Sequence, residues 1–386
     1  METPAYEADK NRLFVYDINT KQELGYTVSI DQSVSEMQWS KDDKTIYFIS
    51  GVKATEQLYS VDLKAAKLTP LTQGLHDLNS LSVADKEFVC VKTTMTSPAE
   101  VYKTDALGKL TQLTFTNKHF TENINWGKVE SMEMTATDGK KLQTWIVFPP
   151  DFNPKKKYPT LLYCLGGPQG AISEGFSYRW NLELMAANGY IIVAPNRRGT
   201  TTFGQAWTDE IAGDWGGQAI KDYLKAIDSA ATFPYVDKDK LGAVGASYGG
   251  YSVYQLAGIH NKRFKVFIAH CGLFDTRSWY GSTEELFFAN HDMKGAYWDN
   301  PANKSYTEFN PSTMVKNWDT PILVIHNQLD FRVPVEQGMQ AFTAAQLRGI
   351  PSKFLYFPDE GHWVMKPQNS LLWNREFFAW LDKWLK

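Results

Sequence analysis

Three residues spread over the last 140 positions have the types and the local settings to turn a hydroxyl into a nucleophile. Ser247 stands in Gly245-Ala246-Ser247-Tyr248-Gly249-Gly250, after the apolar run Leu241–Val244 and before a helical stretch. A serine on so sharp a strand-to-helix turn needs glycine or small neighbours. It projects its hydroxyl above the carboxyl end of the strand, beside the N–H groups of the first helical turn. Such a serine needs a base and a carboxylate to orient that base, following in the order acid, then histidine. Of seven histidines, His362 alone follows the last predicted strand, in Pro358-Asp359-Glu360-Gly361-His362-Trp363. Asp330 follows the strand Pro321–Ile325 and can hold the imidazole's tautomer; Asp275, Asp359 and Glu360 are its rivals. For a developing oxyanion, the N–H of Tyr248 is one expected donor. Gly167, with Gly166 beside it in Leu165-Gly166-Gly167-Pro168, is expected to supply the second.

The elements that must position these groups are read from the apolar pattern. Glu130–Thr137 and Leu142–Phe148 flank Asp138-Gly139 as a hairpin. Strands are predicted at Thr160–Cys164, Tyr190–Ala194, Leu241–Val244, Val266–His270, Pro321–Ile325 and Lys353–Phe357. Helices are predicted at Trp180–Asn188, Gln218–Thr232, Tyr248–Ile259, Val335–Leu347 and Leu371–Leu385. This alternation implies a mostly parallel sheet with helices on both faces, and with the serine turn it defines an α/β-hydrolase fold over 128–386. Trp279, Tyr280, Phe287 and Phe288 lie in the insertion between serine and acid, where a pocket wall is expected.

Residues 1–127 follow a different grammar of short strands and turns. Thr45–Ile49, Gln57–Asp62 and Leu68–Thr72 are answered by Phe88–Val91, Glu100–Asp105 and Leu110–Thr114; Val101 follows Leu58 by 43 residues and Leu113 follows Leu71 by 42. A partial third copy begins at Leu13-Phe14-Val15-Tyr16-Asp17. A period in this range is the mark of a β-propeller. Two and a part blades cannot close a ring, so the chain is expected to be a fragment of a longer protein, or to pack its blades against something else.

Composition narrows the function. With 40 basic and 43 acidic residues in 386, net −3, nothing points to a nucleic-acid or anionic-membrane partner. No apolar run is long enough to span a bilayer. No metal or nucleotide motif appears, so no cofactor is expected. Cys90, Cys164 and Cys271 are too few and too far apart for a disulfide framework and read as buried apolar residues. Met1-Glu2-Thr3-Pro4 carries no secretory signal.

The serine turn, the Gly-Gly-Pro168 loop, Asn196-Arg197-Arg198-Gly199, Phe203-Gly204, Asp214-Trp215-Gly216, Asp330-Phe331-Arg332-Val333-Pro334 and Gly361-His362 together resemble the prolyl-oligopeptidase superfamily. The likeness is nearest its bacterial dipeptidyl-peptidase V and acylaminoacyl-peptidase branch. It implies a serine peptidase that cleaves short oligopeptides through an acyl-enzyme, releasing N-terminal dipeptides. It implies that Arg332 binds a substrate carbonyl upstream of the scissile bond. Glu284 and Glu285 are candidates for holding a substrate amine. Leu165 stands where some branches carry a tyrosine donor, so the oxyanion is expected to rest on backbone N–H groups. A carboxylesterase on the same triad and an inactive fragment are the alternatives, because acyl transfer to serine does not distinguish ester from amide. A homo-oligomer is compatible with the sequence, and a periplasmic or other extracytoplasmic location is expected for a full-length protein of this kind.

Overall fold

The computed structural model describes residues 2–4, 6–84, 87–105 and 107–386. Its larger body is built on an eight-stranded sheet. The strand order is Val129–Thr135, Lys141–Val147, Ile191–Pro195, Tyr158–Cys164, Val236–Ala246, Val266–His270, Ile322–Asn327, Ser352–Phe357. The first two strands form the antiparallel hairpin around Asp138-Gly139, and Lys141–Val147 also runs antiparallel to Ile191–Pro195; from there on every pairing is parallel. The central strands are covered on both faces, as their unbroken apolar runs require: Ile191–Pro195, Val266–His270 and Ile322–Asn327 are buried throughout. One face packs against the helices Gln218–Ala230, Tyr248–Ile259 and Glu336–Leu347, and the other against Leu182–Ala187 and Pro367–Leu385. The expected α/β-hydrolase architecture is the one observed.

The first third forms two four-stranded antiparallel meanders. The first contains Val34–Trp39, Thr45–Val52, Thr55–Asp62 and Lys67–Pro70; the second contains Asp77–Ala84, Glu87–Thr94, Ser97–Asp105 and Leu110–Gln112. A single parallel pair, Glu56 opposite Asp77, joins them. Phe14–Tyr16 pairs with Glu23–Gly25 as a separate ribbon. The leading strand of each meander was not read from the sequence, and the structure shows why. Each carries a one-residue bulge, between Ser35 and Gln38 in one and between Asn79 and Ser82 in the other. At the bulges Glu36 and Ser80 take left-handed φ of 51° and 55°. A bulge shifts side chains to the opposite face, which breaks the alternation that marks a strand.

The meanders grip the larger body through two of its loops. Asp77 accepts from Ser173 Oγ at 2.5 Å, and Glu174 accepts from the Met95 N–H at 3.0 Å. Thr202 takes the N–H groups of Lys53 and Ala54 at 2.9 Å each. Ser173 borders the cavity described next, so the meanders support one of its walls.

Candidate active site

Ser247 occupies the residue between the strand Val236–Ala246 and the helix Tyr248–Ile259, with φ 60° and ψ −124°. A non-glycine residue held there stores on the order of 1–3 kcal/mol, which the surrounding packing must offset. Its glycine neighbours make the packing possible. A Cβ on Gly249 would lie 2.0 Å from the Cys164 carbonyl oxygen, one on Gly245 would lie 2.6 Å from the Gly249 backbone, and one on Gly250 would lie 2.6 Å from Gly272 Cα. The turn is pinned from below by the Ser247 N–H donating to the His270 carbonyl at 2.9 Å.

Asp330 lies in the loop after Ile322–Asn327, with its side chain wholly out of solvent. Its Oδ1 accepts from the N–H groups of Arg332 at 3.1 Å and Val333 at 2.8 Å, and its Oδ2 lies 2.7 Å from His362 Nδ1. Burial acts to raise this carboxyl, but the hydrogen bond and charge of His362, with the Val333 amide, hold it below the ordinary carboxylate value. The two loops are also stitched together directly. Asn327 Nδ2 donates to the Gly361 carbonyl at 2.6 Å, and the Leu329 N–H donates to the Glu360 carbonyl at 3.0 Å. The rival acids are engaged elsewhere. Asp275 caps the helix Thr276–Tyr280, and Glu360 accepts from the Met365 and Lys366 N–H groups. Asp359 holds Lys366 and Asn369.

Ser247, His362, Gly166 and Gly167 border one cavity of about 730 Å³. Ser247 Oγ makes no hydrogen bond to His362 in this conformation; catalytic hydrogen bonds of this kind commonly tighten only around substrate. Among the described residues no protein acceptor meets the N–H of Gly166, Gly167 or Tyr248. A Cβ on Gly166 would sit 3.5 Å from Ser247 Cβ, so the glycine loop closes directly over the serine turn.

Arg197 sets that loop, a role the sequence reading did not assign. It is wholly buried and donates to the Pro168 carbonyl at 2.7 Å, the Leu165 carbonyl at 3.3 Å and the Tyr223 hydroxyl at 3.2 Å. Its guanidinium lies 4.5 Å from the centre of the Tyr248 ring. The charge is thus spread over carbonyls and aromatic faces instead of a carboxylate, and both candidate oxyanion strands of backbone are held by one side chain. The neighbouring Arg198 is bound by Asp138, Glu210 and Asp222.

The pocket residues divide. Arg332, Glu285 and Phe288 face the cavity. Arg332 Nε is 2.7 Å from Glu285 and 3.9 Å from the exposed Glu284, and its guanidinium lies 5.2 Å from the centre of the Trp363 ring. Burial first, opposed by the Arg332 charge, raises the Glu285 carboxyl. Trp279 and Tyr280 do not form the wall expected of them. Trp279 is 1% exposed, packs on Trp215, and donates to the Arg332 carbonyl at 2.9 Å. Tyr280 is buried against Trp298 and Tyr306 and donates to Asn290. Both rings fill the space beneath the insertion, so Trp279 supports Arg332 from behind without meeting a ligand. Phe287 points outward. Glu7, which the sequence gave no reason to single out, also borders the cavity.

The three cysteines are free and buried. Cys271 lies with His326 and Asp330 in a buried cluster. His326 Nε2 already donates to the Val333 carbonyl at 2.7 Å and both Asp330 oxygens are taken, so the cluster acts as packing beneath the carboxylate.

A serine on a strained strand-to-helix turn, an Asp–His pair after the next strands along, and free backbone donors over the serine are the constellation of an α/β-hydrolase. The family model "Prolyl oligopeptidase family" matches residues 176–386, and the chain belongs to that family of serine peptidases. It is 47% identical to dipeptidyl-peptidase 5 of Porphyromonas gingivalis, matching over 100% of this chain and 57% of that protein. It is 33% identical to dipeptidyl-peptidase 5 of Schizosaccharomyces pombe, over 100% of this chain and 56% of that one. In fold it superposes on Pyrococcus horikoshii acylaminoacyl peptidase with TM-score 0.87 at 24% identity, covering 99% of this chain and 60% of that chain. The chain thus spans little more than half the length of the relatives it matches.

Proposed function

We propose that the chain carries the active site of a serine peptidase that removes dipeptides from the N-terminus of short peptides. The observation that carries this reading is that His362, bonded from behind by the buried Asp330, borders the same cavity as Ser247 and the unpartnered glycine-loop N–H groups. Ser247 Oγ attacks the scissile carbonyl as His362 Nε2 takes its proton. The oxyanion is received by the N–H of Tyr248 and of Gly167. His362 returns the proton to the leaving amine, and water then repeats the sequence on the acyl-enzyme. Asp330, held by two backbone N–H groups, keeps the imidazole in the tautomer that exposes Nε2 as acceptor. Arg332 is placed to hold a carbonyl of the acyl part, and Glu285, beside it and half-buried, to meet a free ammonium. The names of the P. gingivalis and S. pombe relatives support the dipeptidyl mode.

The test compares rates on dipeptidyl coumarin amides, on the same amides with the amine acetylated, and on short acyl esters. The proposal expects turnover of the free-amine amides, with acetylation lowering kcat/KM at least tenfold. Turnover of esters alone makes the protein a carboxylesterase. Equal rates on free and acetylated amides remove the amine anchor.

A further inference from the structure

The cavity has a second end that the mechanism above does not use. There Arg179, Tyr163 and His270 line the wall. Among the described residues Arg179 has no carboxylate partner; its guanidinium rests 5.4 Å from the centre of the Trp363 ring. Among the described residues the buried ring nitrogens of His270 both lack a hydrogen-bond partner, and the residue is 3% exposed. Among the described residues the Tyr163 hydroxyl has no hydrogen-bond partner either, and burial with the nearby Arg179 charge sets its surroundings. Of the carboxylates bordering the cavity, Glu285 pairs with Arg332 at the other end, and Glu7 lies close enough to Glu285 for its charge to act on it.

The two ends lie on opposite faces of the sheet. Phe288 packs against the core of the serine helix, whereas Trp180, next to Arg179, belongs to the core under the C-terminal helix and stacks on His270. The leaving amine must stand where His362 can protonate it. Arg179 lies on Trp363, the residue after His362. We propose that Arg179, with His270 and Tyr163, is a subsite for the free carboxylate of the residue immediately following the scissile bond, so that the site favours tripeptides. A guanidinium with two further donors suits a carboxylate, and burial keeps the His270 ring neutral, with one N–H to offer. The reach agrees. Both Arg179 and Arg332 lie on Trp363, so their guanidinium carbons are at most about 11 Å apart, roughly three extended residues.

This inference rests on the peptidase reading, and its test keeps the two apart. Wild type, Arg179→Gln and Arg179→Lys are assayed on one tripeptide as its free acid and as its C-terminal amide. Wild type is expected to prefer the acid. The acid-over-amide ratio in kcat/KM should fall about 10- to 100-fold in Arg179→Gln and recover in part in Arg179→Lys. His270→Asn should lower the same ratio. No preference in wild type, or an equal loss on both substrates in Arg179→Gln, overturns the proposal. If neither peptide is cleaved although a fluorophosphonate labels Ser247, the peptidase reading fails. The subsite is then read by whether the free amino acid of the leaving position slows that labelling in wild type and not in Arg179→Gln; no slowing in wild type overturns it.

Discussion

Asp330 shows how much a single buried charge is asked to do. It leaves solvent completely, yet two backbone N–H groups and one imidazole N–H account for its acceptor sites. Asp330→Asn should preserve the fold, because the amide oxygen can keep both backbone bonds. It presents an N–H to His362, however, and so imposes the wrong tautomer. We expect kcat to fall roughly 10³–10⁴-fold with little change in thermal midpoint. A loss below tenfold in a folded variant would show that Asp330 does not orient the base. Residue chemistry was legible at this scale wherever position along the chain decided it: serine turn, acid after one strand, histidine after the next. It was not legible for Trp279, Tyr280, Arg179 or His270. Whether a side chain in an insertion or at a strand end faces a cavity or a core depends on packing that no local pattern records.

At the scale of elements, the serine turn is where sterics speak most directly. Gly249 has no room for a side chain, since its Cβ would meet a carbonyl oxygen of the neighbouring strand at 2.0 Å. Backbone cannot yield as a flexible side chain does. Gly249→Ala should therefore cost at least about 3 kcal/mol, at the upper end of overpacking, and separate the serine helix from the Tyr158–Cys164 strand. Equilibrium denaturation measures this, and a loss below about 1 kcal/mol would contradict the contact. The same tightness is why the helix Tyr248–Ile259 was readable to the residue. The leading strands of the two meanders were not, because their bulges interrupt the period-two signal. The spacing of the repeat survived because it is set by whole meanders and not by any one strand.

For the whole molecule, one buried and one partly buried carboxyl tie pH to stability. Glu183 is 4% exposed, accepts from the Gly127 N–H at 2.8 Å where the chain enters the larger sheet, and leaves one oxygen without a partner. Burial raises it to about 7, opposed only by that hydrogen bond. Glu56, beside Asp77 at the junction of the two meanders, is raised by burial and then by the Asp77 charge, also to about 7. A raised carboxyl keeps its proton in the folded state after the unfolded chain has released it. The contribution of these two groups is therefore greatest below the ordinary carboxylate value and falls as pH climbs toward about 7, by up to about 1.4 kcal/mol per pH unit for Glu183 and less for the partly exposed Glu56. Burial lowers His76 to about 4 and His270 to about 3, and these groups work in the opposite sense below about 6.5. The carboxyl effect is therefore read as a difference: between pH 5 and pH 8 wild type should lose stability relative to Glu183→Gln. A stability difference between the two that stays constant over this range would contradict the assignment.

The central claim, that one hydroxyl is made nucleophilic by one imidazole, is tested most directly by fluorophosphonate labelling with peptide mapping of the folded chain. A single adduct on Ser247 is expected in wild type, none in Ser247→Ala, and labelling slowed at least a hundredfold in His362→Ala. An adduct on any other residue, or labelling of His362→Ala at the wild-type rate, would contradict it.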